Sequence, residues 1–145
     1  MLGPGDSAPS FSLDGVADPW SDGPAVLVFF KVTCPVCQLA APKVQALADG
    51  GATVVAIGED PPEKLEQYAG KYGQRVPTLS EPAPYAVSAA YGLEAVPTVF
   101  LVSSEGMIAD AVAGWDRDGW NRVAAAAGAG PVSDTGDGLP ALRPG

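Results

Sequence analysis

The chain has 145 residues, 47% of them hydrophobic, enough for one domain with a true core. Its net charge of -9, from 8 Lys and Arg against 17 Asp and Glu, argues against nucleic acid or an anionic membrane as partner. Histidine is absent, which removes Ser-His and Cys-His nucleophile pairs and histidine metal sites together.

No run of about 18 apolar residues exists to span a bilayer, and Met1 to Asp6 has neither a basic start nor an apolar secretory core. A cytoplasmic location is expected if Met1 is the native start, and an extracytoplasmic one if a signal or anchor has been removed.

Residues 1 to 25 are rich in Gly, Pro, Asp and Ser, with apolar alternation at Ser10 to Leu13 and again at Val16 and Trp20. Asp14-Gly15 between them predicts a hairpin turn. Ala25 to Phe30 is a continuous Val/Phe-rich run, the pattern of a central strand buried on both faces. From Cys34, Val36, Ala40, Val44 and Leu47 recur at helical spacing until Asp49-Gly50-Gly51, with Pro42 inside. Thr53 to Ile57 is the next β-branched run, so this stretch reads as a right-handed βαβ unit.

Asp60-Pro61-Pro62-Glu63 has the spacing of a helix N-cap on Asp60, followed by Leu65, Tyr68, Ala69 and Tyr72 on one face and a stop at Gly73. An extended piece near Val76 to Leu79 and a short helix from about Tyr85 to Tyr91 come next. Val96 to Val102 and Met107 to Ala113, joined through Ser103 to Gly106, predict an antiparallel pair. Asp116 to Ala127 carries Trp120, Val123, Ala124 and Ala127 at helical spacing, so a last helix packs on the sheet. The predicted domain is 1–127, with 128–145 a flexible tail of Gly, Pro, Asp and Ser.

Both cysteines lie in Cys34-Pro35-Val36-Cys37, where the central strand gives way to a helix. Thiols at i and i+3 at a helix start can close a disulfide, and the helix amides and dipole favour a thiolate on the first. Cys34 is the predicted nucleophile and Cys37 the resolving thiol. Pro35 has no N–H, which leaves the amides of Val36 and Cys37 as donors to Cys34. An inert buried pair is the bland alternative. A zinc half-site would lack two ligands, so no metal is expected. A C-x-x-C beside a βαβ pattern reads as a redox motif.

The apolar strand, Cys34-Pro35-Val36-Cys37, the helix proline Pro42 and Val96-Pro97-Thr98 together resemble thioredoxin-like proteins. Gly5 to Leu13, the run Tyr91 to Val102 and Gly106 further resemble the TlpA/ResA type of thiol-disulfide oxidoreductase. The resemblance covers roughly residues 5 to 127. It implies an α/β thioredoxin-like fold: a central mixed sheet flanked by helices, with an N-terminal hairpin and a helical insert.

It also implies that Pro97 follows a cis bond and faces the cysteines in a substrate loop with Val96. By the same resemblance Cys34 exchanges with protein disulfide or dithiol substrates through a mixed disulfide. No organic cofactor is needed, an electron donor or acceptor is required, and the chain is expected to act as a monomer.

Three departures bear on the mechanism. Thr33 stands where tryptophan is usual, Val28 where thioredoxins bury an acid, and Ala40 where the ResA type carries a glutamate. Lys31 and Glu59 are the remaining candidates to support the pair. Two further functions stay open, a peroxiredoxin-like thiol peroxidase and a non-enzymatic redox-switch binding module.

Overall fold

The computed structural model describes residues 1–145. Thirteen elements follow in order: β1 Ser12–Leu13, β2 Val16–Ala17, β3 Ala25–Phe30, α1 Pro35–Asp49, β4 Val54–Gly58, α2 Pro62–Tyr72, β5 Thr78–Ser80, α3 Ala86–Ala90, β6 Thr98–Val102, β7 Ile108–Ala113, β8 Trp115–Asp116, α4 Arg117–Ala126 and β9 Leu142–Arg143. Asp14 and Gly15 both have positive φ (51° and 78°), the geometry of the tight turn that joins β1 to β2.

Five strands form the central sheet in the order β5-β4-β3-β6-β7. β3 runs parallel to β4 and antiparallel to β6, so the sheet is mixed. Every residue of β3 is buried, and alternate side chains serve two cores. Val26, Val28 and Phe30 join α1, α2 and α4 on one side, while Ala25, Leu27 and Phe29 meet Phe11, Tyr91 and Phe100 on the other. That double burial explains the unbroken apolar run.

Two expectations are corrected. Asp60 does not cap α2; Pro61 occupies the N-cap with no side-chain bond, and the Asp60 carboxylate is used elsewhere. Residues 128–145, predicted to be a loose tail, are laid against the domain. Asn121 Oδ1 accepts from the Val132 and Ser133 amides, Asp137 meets Lys43 at 2.9 Å, and β9 pairs with β8. The tail has little to bury, but it is held by polar groups that composition alone does not show.

Candidate active site

The link between β3 and α1 is tied from two directions. The Val32 amide donates to Asp60 Oδ2 at 2.9 Å, and Gln38 Nε2 donates to the Val32 carbonyl at 2.9 Å. Asp60 lies beyond the end of β4, which pairs with β3, so one carboxylate links the ends of two adjacent strands.

The chain then enters α1 at Cys34, whose extended backbone (φ -82°, ψ 116°) makes it the N-cap. Its Sγ accepts from the Cys37 amide at 3.1 Å. Of the two donors expected, only Cys37 bonds the sulfur, because an N-cap side chain reaches the third helical amide more readily than bending to the second. Pro35 is the first helical residue and is exposed, as is Thr33.

Opposite Cys34 lies the loop that opens β6. The antiparallel register sets Thr98 beside Phe29, which brings Val96 and Pro97 alongside the exit of β3. The Cys34 thiol donates to the Val96 carbonyl at 3.4 Å, and the Val96–Pro97 peptide is cis. The end of the tail passes the same loop: a β-carbon on Gly145 would collide with the Val96 carbonyl oxygen.

The two thiols are free and differ in environment. Cys34 is partly exposed, whereas Cys37 is 2% exposed. Burial, and then the hydrogen bond with Cys34, pushes the Cys37 thiol well above its ordinary value of 9.0. Val28 and Ala40, both fully buried, share its core with no carboxylate.

That core does contain Tyr68, stacked on Phe30 with ring centroids 5.0 Å apart. Its hydroxyl is buried with no hydrogen-bond partner, a state that costs about 1–3 kcal/mol. Burial, and then the neighbouring Cys37 and Cys34, raises the Tyr68 phenol from its ordinary 10.0.

Lys31 and Glu59 pair with each other at 3.8 Å and bond neither sulfur. Trp115 and Trp120 are fully buried and bond the Pro140 and Gly114 carbonyls, so they are core residues. Asp60, Gln38 and Tyr68 are the site residues that sequence reasoning missed. Gln38 carried a usable signal, since it sits one helical turn after Cys34.

A strand that delivers Cys-x-x-Cys to a helix start, with a proline loop from the neighbouring strand against the first sulfur, defines a thioredoxin-like protein. The AhpC/TSA family model matches residues 4–111, and the chain belongs to that family. Its fold is the thioredoxin-like one, a central five-stranded mixed sheet flanked by helices.

No curated protein matches the chain. Among solved structures, a Chlorobium tepidum protein assigned as the thiol:disulfide interchange protein DsbE is similar at 20% identity and TM-score 0.73, over 88% of this chain and 99% of that one. MTB DsbF is similar at 26% identity and TM-score 0.67, over 86% and 98%. The peroxidoxin BcpB of Mycobacterium tuberculosis is similar at 25% identity and TM-score 0.62, over 77% and 86%.

Proposed function

We propose that this chain exchanges disulfides with protein substrates, with Cys34 as the attacking thiol and Cys37 as the resolving one. The single observation that carries the assignment is the asymmetry of the pair: Cys34 is reachable and takes a hydrogen bond from the Cys37 amide, while Cys37 is buried, which pushes its thiol up.

A Cys34 thiolate attacks one sulfur of a substrate disulfide. A Cys34–substrate bond forms, and the other substrate sulfur leaves as a thiolate and takes up a proton. Cys37 then loses its proton and attacks Cys34 Sγ, which releases the second substrate thiol and leaves a Cys34–Cys37 disulfide. Two electrons have passed to the substrate, and an external dithiol must restore the pair; run in reverse, the same steps oxidise a substrate. Val96 and Pro97 form the edge that a substrate main chain meets beside Cys34.

The test is trapping. Cys37→Ser is expected to accumulate mixed disulfides on Cys34, and Cys34→Ser to accumulate none. Absence of any mixed disulfide with Cys37→Ser makes binding without exchange the better account.

A second reading, thiol peroxidase, is favoured by the family match and by the likeness to BcpB. Against it, Thr33 directly precedes Cys34 and does not stand three residues before a cysteine, and Cys37 is closed to solvent. Peroxide turnover that survives loss of Cys34 but not of Cys37 supports the peroxidase and overturns the first reading.

A further inference from the structure

A second polar feature begins at Thr33, the residue before Cys34. A cavity of about 410 Å³ lies between the Val32-Thr33 segment and α2. Lys64, Gln67, Tyr68, Lys71 and Tyr72 line it at i, i+3, i+4, i+7 and i+8 of one helix, so a single face of α2 forms the wall. Gln38 closes the end nearest α1. Thr33, on the opposite wall, is followed directly by Cys34.

The charge of this cavity runs against that of the chain. None of the 17 acidic residues lines it, although the net charge is -9. Lys31, Lys43, Arg117 and Arg122 are ion-paired; of the four remaining basic side chains, Lys64 and Lys71 are two, and both are here. Lys71 Nζ lies 5.4 Å from the Tyr72 ring centroid, which steadies the ammonium without neutralising it. Gln67 adds an amide to the same face. The wall therefore offers two cations and no anion to satisfy them.

We infer that this cavity receives acidic side chains of the protein substrate, so that disulfides flanked by Asp or Glu are the preferred partners of Cys34. The inference rests on the exchange function proposed above. An extended chain advances about 3.3 Å per residue, so the flanking carboxylates in question are those within a few residues of the attacked cysteine, the stretch that passes Thr33 when that cysteine is at Cys34.

Three disulfide-linked cysteine peptides test this, identical but for Glu, Gln or Lys at the flanking positions, at one fixed ionic strength. Oxidised glutathione and neutral hydroxyethyl disulfide accompany them. The Glu peptide is expected to show kcat/KM about fivefold above the Gln peptide, the gain of two partly screened ion pairs. Lys64→Gln/Lys71→Gln brings that ratio to about one, whereas the charge-matched Arg75→Gln/Arg122→Gln, away from the cavity, keeps it.

Equal rates for the Glu and Gln peptides, or a ratio that the two double variants lower alike, overturn the inference. So does a preference confined to glutathione, which would assign the cavity to a small anionic disulfide. Turnover of hydroxyethyl disulfide reports exchange itself, so its loss condemns the functional reading separately. In that event, binding of a serine analogue of the Glu peptide, read by NMR shifts on α2 in wild type and in Lys64→Gln/Lys71→Gln, still decides whether the cavity takes carboxylates.

Discussion

The thiol of Cys34 donates to the carbonyl of Val96 at 3.4 Å, across 62 residues of sequence. The Cys34 sulfur is thus gripped between the Cys37 amide of its own helix and a main-chain acceptor in the loop that opens β6. Cys37, inside the same helix, has no such access.

Alkylation should separate the two thiols. With limiting iodoacetamide near neutral pH, Cys34 is expected to react at least about tenfold faster than Cys37, because only the thiolate reacts and burial holds Cys37 protonated. Mass spectrometry of early time points reads the ratio, and equal labelling would remove the basis for their assigned roles.

Asp60 is expected to matter beyond its distance from the sulfurs. Asp60→Ala leaves the Val32 amide without its acceptor and should cost about 1–2 kcal/mol in urea unfolding. Exchange activity should fall as well, while Glu63→Gln, in the first turn of α2, changes neither. A fully active Asp60→Ala would show that the link before Cys34 needs no anchor.

Alkali should destabilise the reduced protein. The folded state raises the Cys37 thiol above 9.0 and the Tyr68 phenol above 10.0, so in that region the unfolded chain binds fewer protons than the folded one. Stability is full below the ordinary values and falls as pH rises through them, by up to about 1.4 kcal/mol per pH unit for each group. Urea midpoints between pH 8 and 11 should decline less steeply in Cys37→Ala and in Tyr68→Phe.

Asp137 anchors the tail, and its loss should be felt locally. Its carboxyl is held well below its ordinary 3.8 by the Ser133 hydroxyl, the Leu139 amide and Lys43. Because the value is depressed, the contribution is present above 3.8 and lost as pH falls through the folded value. Asp137→Asn should speed amide exchange across 128–145 while leaving β3 and β6 protected, and unchanged exchange would assign the anchoring to Asn121 and β9.

Much of the fold was legible because burial imposes local patterns. Ala25 to Phe30 had to be apolar throughout to feed two cores, and its predicted limits are those observed. The helix from the cysteines to Asp49 and the stop at Gly73 follow from short-range rules as well. What stayed hidden was long-range and polar. A carboxylate at Asp60 looks the same whether it caps the next helix or reaches back to Val32, and Asp137 in a Gly- and Pro-rich stretch gives no sign of Lys43 waiting for it. The hydroxyl of Tyr68 was masked because its ring satisfied the apolar periodicity.

The tether from Asp60 to Val32 also bears on transplantation. The four residues Cys34 to Cys37 do not hold their own approach: it is set by a carboxylate 28 residues after Val32, and the facing carbonyl comes 62 residues after Cys34. Grafting the tetrapeptide onto another strand and helix would carry the sulfurs without their orientation. The smallest portable unit is β3 with α1, the β4–α2 corner and the start of β6, which is most of the domain.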